Sequence, residues 1–200
     1  MKRSEPRPEL ETELRAGEFF GSISTSYAHE GIVLTEIVHR THRTLPTHAH
    51  EMAYFSMLLD GQYREWCGST DLEFDPGTMT FHPPGIEHHD QIGRLGGRFL
   101  GIELDLRWID RLVERSVLTD YTTFAPGSPC ALIATRLHGE IQDLDSSSPL
   151  MVEGAILELL GEMGRSRVRS RDRTAPWLER VEELVRSDLT RSHRMEELQM

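Results

Sequence analysis

The stretch His48-Ala49-His50-Glu51-Met52-Ala53-Tyr54, with its counterpart Gly77 to His88 (GTMTFHPPGIEH), decides the fold. In an extended strand alternate side chains share a face, so His48 and His50 point one way and Ala49 the other. The same parity puts Tyr54 with the two histidines and turns Glu51 away. Pro83-Pro84-Gly85 is a turn signal that delivers His88 on the next strand. Gly61 and Gly77 stand where turns need positive φ. Three imidazoles in one interior suit a divalent metal or a polar guest.

Outward from this core, short apolar runs punctuated by Gly and Pro read as strands: Phe19–Ser26, Ile32–His39, Ala53–Leu59, Tyr63–Cys67, Thr78–His82, His88–Ile92 and Arg98–Leu104. Such a series predicts an antiparallel barrel or sandwich. After Leu106 the period lengthens. Trp108–Val117 reads as a short helix. Ala131–Leu144 and Leu150–Met163 carry apolar residues at helical spacing, joined around Ser146–Pro149, which predicts a helical hairpin. Its apolar stripe serves either its own barrel or a second copy.

Arg165, Arg167, Arg169, Arg171 and Arg173 follow, five arginines in nine residues without apolar periodicity. They read as a solvated interdomain linker, with contact to DNA phosphates as the functional alternative. Pro176 then opens a helix with Trp177, Val181, Leu184 and Val185 on one face. Arg194–Leu198 begins another.

Composition narrows the classes. The chain has 200 residues and a net charge of −11. Residues 1–163 hold 13 Lys and Arg against 26 Asp and Glu, and residues 164–200 hold 9 against 7. Clustered phosphate-binding charge is therefore confined to the C-terminal end. The charged N-terminus is unlike a signal peptide, and no run reaches membrane-span length. Cys67 and Cys130 lack a CxxC spacing and are expected reduced in the cytoplasm.

The two histidine segments resemble the paired signature of the cupin barrel, a double-stranded β-helix of jelly-roll type, with Tyr54 at that family's glutamate position and Ile92 at its asparagine position. The whole order resembles the AraC/XylS family of bacterial transcription regulators. HAHEMAYFSMLLDGQYREW and FHPPGIEHHDQI look like its sensor half, Pro176–Val181 like the first helix of its DNA-binding domain, and Met195–Leu198 like the start of the second. The resemblance implies an N-terminal arm (1–17), a cupin-like ligand-sensing barrel (18–106), a helical hairpin for dimerisation (107–163), an Arg-rich linker (164–175) and an incomplete helix-turn-helix domain (176–200). The recognition helix that would enter the major groove is missing, so the chain reads as a fragment or a truncated product.

The resemblance further implies a homodimer that binds a small-molecule effector and, through a complete C-terminal domain, DNA, with no membrane partner. His48, His50, Tyr54, Trp66 and His88 are the expected effector pocket, with Tyr63 as an alternative aromatic wall. His48, His50 and His88 are the candidate metal ligands, no cofactor being required. A phenol has a pKa near ~10 and ligates divalent metals less readily than a carboxylate, so Tyr54 favours a pocket over a metal site. His39 and His42 are expected on the surface, and His89 pointing outward. The alternative is a metal-dependent cupin enzyme of dioxygenase or isomerase type using the three histidines, though no general acid or base accompanies them beyond Tyr54.

Overall fold

The computed structural model describes residues 12–113 and 120–173. The sequence-predicted helices beyond Arg173, the end of the Trp108–Val117 helix and most of the N-terminal arm lie outside these residues. The chain falls into two compact units, 1–160 and 161–200.

The first unit is a ten-stranded sheet closed on itself, followed by helices. In chain order come β1 (Thr12–Leu14), β2 (Ser22–His29), β3 (Ile32–His39), β4 (Arg43–Thr44), β5 (His48–His50), β6 (Ala53–Cys67), β7 (Thr70–Phe74), β8 (Met79–His82), β9 (His88–Leu104), α1 (Leu106–Val113), β10 (Thr122–Phe124), α2 (Pro129–Gln142) and α3 (Ser148–Arg173). This is the β-rich, cupin-like barrel with trailing helices that the histidine segments predict.

Two long strands organise it. β9 pairs with β5 and β4 near its start and with β3 from Gly97 to Leu104, while β6 runs antiparallel to it from Ala53↔Leu104 to Cys67↔His88. The sequence breaks each of these strands in two, at Asp60-Gly61 and at Gly93–Gly97. The structure instead carries both strands through as one corner. The β6 register shifts around Leu58–Tyr63, Gly61 has φ 102°, and Gly96 has φ 76°. A Cβ on Gly61 would meet the Gly96 carbonyl oxygen at 2.3 Å. Only a residue without a side chain lets two backbones cross there, and bulges of this kind fold a sheet into a barrel.

Strand parity makes two cores. Ile37, Leu58, Tyr63, Phe74, Ile92 and Phe99 form a buried cluster inside the barrel. On the opposite face of the same strands, Leu34, Phe55, Phe81, Leu100 and Ile102 are buried. Helix α2 begins with Ser128 as N-cap and Pro129 in its first turn, and it packs on β2 and β3. Its buried Ile133, Leu137 and Ile141 occupy one face as the spacing predicts, while Leu144, expected on the same face, lies beyond the helix end and is exposed. The hairpin is tied to the barrel from outside. His138 Nε2 lies 2.6 Å from Glu36 Oε2 on β3, and His29 Nε2 lies 2.8 Å from Glu153 Oε1. Arg136 and Glu158 join the two hairpin helices. Helix α3 continues through Arg173, so the segment expected as an irregular linker is helical to that point.

Candidate functional site

Ladder pairing alone brings the three histidines together. β5 is so short that His48 sits directly across from His88, the first residue of β9, while His50 shares its face two residues on. All three are buried. Ring centroids are 4.1 Å apart for His48 and His88, 5.4 Å for His48 and His50, and 5.8 Å for His50 and His88. One nitrogen from each lies within 4.8 Å of the others.

Backbone carbonyls fix two tautomers. His48 Nδ1 lies 3.0 Å from the Pro46 oxygen, and His88 Nδ1 lies 3.2 Å from the Ile86 oxygen. A carbonyl only accepts, so each Nδ1 carries the proton and each Nε2 presents a lone pair inward. Tyr54 uses one of them: its hydroxyl donates to His88 Nε2 at 2.9 Å. Burial, followed by the mutual proximity of the rings, pushes His50 down to about 3 and holds His88 well below the usual imidazole range. His48 is lowered by burial as well. The triad is neutral near pH 7 and available for ligation.

The lone pairs and burial suit a metal; the spacing does so only after adjustment. A tetrahedral ion with bonds of ~2.0–2.1 Å wants its nitrogens roughly 3.4 Å apart, so the rings would have to close around it. Tyr54 would also have to release His88. The three histidines can hold a metal under those conditions, with Tyr54 standing where the cupin pattern has its carboxylate.

Behind the triad lies a second polar group. Glu65 on β6 is fully enclosed, accepting from the Tyr63 hydroxyl at 2.8 Å and contacting His82 Nε2 at 2.9 Å. Asp90 faces it directly across the β6–β9 ladder. Burial opposes ionisation of both, and the interaction with His82 decides which one keeps its charge. Glu65 is held low, while burial and the neighbouring Glu65 push Asp90 well above the usual carboxylate range. Asp90 Oδ1 has no hydrogen-bond partner, and Oδ2 lies 3.7 Å from His48 Nε2. A protonated Asp90 turns a donor toward that lone pair, but 3.7 Å is too long for a hydrogen bond.

The N-terminal segment roofs this interior. β1 pairs in parallel with β5, setting Thr12 against His48 and Leu14 against His50. Gly17 N–H donates at 2.7 Å to Glu103, a buried side chain on β9 whose pKa burial raises to about 7. Phe19 packs on His50 at 5.2 Å, and Phe20 meets His48 edge-on at 5.0 Å. Beneath them remains a cavity of about 50 Å³, lined by His48, His50, Tyr54, Tyr63, Asp90 and Phe99 among others. That is room for one or two waters or a small headgroup.

Of the residues expected in the pocket, His48, His50, Tyr54 and His88 converge. Trp66 does not. It lies three residues from Tyr63, so parity allows only one of the two inside; Tyr63 is inside, and Trp66 stacks on His89 at 4.8 Å on the outer face. His39, expected on the surface, lines the cavity, because its strand continues the parity of Thr35 and Ile37. His82, Glu65 and Asp90 also face this interior, and the sequence reading does not name them, although the same alternation places them. Glu65 shares the face of Tyr63, and Asp90 shares that of His88. Arg165 contacts Glu162. The backbone of Arg167, Arg169, Arg171 and Arg173 is helical.

No family model matches this sequence, and no curated protein matches it. Solved structures do match by shape. An apo variant of ToxT from Vibrio cholerae superposes with a TM-score of 0.53 at 9% identity, covering 85% of this chain and 69% of ToxT. A second ToxT structure from Vibrio cholerae gives 0.50 at 12% identity, over 84% and 70%. CuxR, an AraC-like transcriptional activator, gives 0.52 at 9% identity, over 70% of this chain and 53% of CuxR. The fold is similar to those of ToxT and CuxR. The chain spans about half of CuxR, so an AraC-like regulator's further parts have no counterpart in that alignment. Among the described residues no helix is long and apolar enough to cross a membrane.

Proposed function

We propose that this chain is the ligand-sensing and dimerising portion of an AraC-type DNA-binding regulator. The observation that carries the reading is a cavity inside the barrel, lined by apolar and histidine side chains and roofed by the chain's own N-terminal segment, with the helical hairpin on the barrel's outer face. An effector entering the cavity competes with Phe19 and Phe20 for His50 and His48. Binding thus favours one placement of the arm over another, and a population shift of this kind can be passed to DNA-binding domains that a dimer pairs. The hairpin supplies the dimer surface, and the arginines at the end of α3 contact DNA phosphates when a complete DNA-binding domain follows.

Two measurements on the purified chain test this. Sedimentation equilibrium is expected to show a dimer at micromolar concentration. Thermal unfolding is expected to shift upward with at least one small molecule, and the shift should change when residues 1–18 are removed. A monomer unaffected by any compound would overturn the proposal.

The second reading, a metal-dependent cupin enzyme, is favoured by one observation: three buried histidine nitrogens within 4.8 Å. Metal content of the tag-free chain beside a His48→Ala/His50→Ala variant separates the two. Close to one metal per chain, lost in the variant, supports the enzyme. No metal after reconstitution with iron, zinc or manganese leaves the effector pocket.

A further inference from the structure

We propose that β2 is a docking edge for a second copy of this chain, pairing antiparallel with its own counterpart across a twofold axis. The proposal rests on the dimerising reading above and adds to the hairpin a surface that carries the contact.

Ser22–His29 ends the sheet. Among the described residues β2 pairs with β3 alone, so no strand lies along its other side. Ser22, Ile23, Ser24, Ser26 and Ala28 are exposed. An open edge is a template for another strand, and folded proteins blunt such edges with Lys, Pro or inward-turned charge. β2 has none of these: its eight residues, SISTSYAH, include no Lys, Arg, Asp, Glu or Pro. Its one irregularity is the register shift between Ile23 and Thr25, which leaves Thr25–His29 as a regular run.

Charge selects the partner. Residues 1–163 hold 26 Asp and Glu against 13 Lys and Arg, so most ways of bringing two copies together set like charges against each other. A basic partner would be drawn to the acidic surfaces and away from a neutral strand. Along β2 a second copy meets no such repulsion. A twofold through Tyr27 sets Ser26 opposite Ala28 and Thr25 opposite His29, and the interface is then the same patch on both copies. The backbone groups of each free edge satisfy those of the other, as in strand addition to a sheet.

The helices agree with this arrangement. Helix α2 packs on β2 and β3, and α3 reaches the strand where Glu153 meets His29. Both lie on the sheet's outer face, with Leu34 and Glu36. A twofold perpendicular to the sheet keeps that face common to the two copies, so both hairpins stand on one side of the joined sheet. Their exposed Leu132, Leu150 and Met151 are then available to the same contact.

The test is sedimentation equilibrium of the full chain beside three variants: Ser26→Lys/Ala28→Lys, Ser26→Asp/Ala28→Asp, and Asp75→Lys. The last changes net charge as much as the first, on an exposed turn remote from β2 in sequence. Each β2 variant is expected to weaken the dimer at least about tenfold by setting like charges opposite each other, while Asp75→Lys does not weaken it. Mixing the Lys and Asp variants should restore a dimer containing one of each. Circular dichroism reports folding. Should a variant fail to fold, amide hydrogen exchange of the unaltered chain decides: protection at Thr25–Ala28 is expected to rise with dimer population. Charge variants that dimerise like the unaltered chain, or exchange at Thr25–Ala28 that is indifferent to concentration, would overturn the β2 assignment and leave the dimer to the hairpin alone. Two weakened variants that do not recover on mixing would overturn self-pairing. A monomer at every concentration would remove both this assignment and the dimerising reading.

Discussion

At Tyr54 one atom decides between two chemistries. Its hydroxyl caps His88 Nε2, the lone pair that a metal would need. Tyr54→Glu restores a carboxylate at the cupin position and frees that nitrogen, and it is expected to tighten zinc or manganese binding at least about tenfold by competition against a chromogenic chelator. Unchanged metal affinity would show that ring spacing, and not the phenol, limits the site. Glu103 poses the converse question. Burial raises its pKa from 4.5 to about 7, so the folded chain binds its proton more tightly than the unfolded chain does. Its contribution therefore falls as pH rises from about 4.5 to about 7 and stays low above that. The loss is on the order of 3 kcal/mol. Glu103→Gln keeps an acceptor for the Gly17 amide and removes the charge. It should raise the urea midpoint at pH 8 and leave it little changed at pH 5; a variant less stable at pH 8 would mean the ionised carboxylate is what holds the arm.

Among the elements, the corner and the hairpin carry the most consequence. Gly61→Ala forces a Cβ against the Gly96 carbonyl at positive φ, and the expected cost is more than about 2 kcal/mol in denaturant unfolding. A neutral result would mean that β6 can cross β9 without the glycine. On α3, Leu150, Met151 and Leu157 are exposed, and Gly154 between them leaves open space. The stripe read from the sequence, Val152, Ile156, Leu159 and Met163, is buried, so it is these other, exposed residues that are proposed to meet a second copy. Leu150→Asp/Leu157→Asp should convert a dimer to a monomer in sedimentation runs while leaving the melting cooperative; a persisting dimer would place the interface elsewhere. The hairpin was legible because helical periodicity survives wherever one face is buried. The three-histidine set was legible because β5 alternates without interruption. The two long strands were less so, since Asp60-Gly61 and Gly93–Gly97 carry the same residues that end a strand, and only the partner's backbone distinguishes a corner from a turn. Glu65 and Asp90 escaped for a related reason. A charged residue in a strand reads as solvent-facing unless the partners that satisfy it are known; Glu65 has Tyr63 two residues along its own strand, but it meets His82 only because the closed barrel brings β8 to it.

For the whole molecule, a barrel filled with neutral histidines should be sensitive to acid. Burial brings His39 down to about 4 and His50 to about 3, and it lowers His48 and His88 too. Unfolded histidines titrate near ~6.5, so below that pH the unfolded chain takes up protons the folded chain refuses, and stability falls as pH falls. Glu103 and Asp90 act in the opposite direction, because their folded forms hold protons more tightly. Four lowered histidines against two raised carboxyls leave a net uptake of protons on unfolding below about pH 6.5, so the folded state weakens as the pH falls through that range. Urea midpoints measured in chelator from pH 4.5 to 8 should therefore rise steeply to about pH 6.5 and flatten or decline slightly above it as Glu103 ionises. An occupied metal site would steepen the acid limb, since protons then compete with the ion for the same nitrogens. A flat profile between pH 5 and 6.5 would mean that water reaches the interior and lets the histidines titrate where they stand, and the enclosed pocket on which an effector's control of the arm depends would be lost with it.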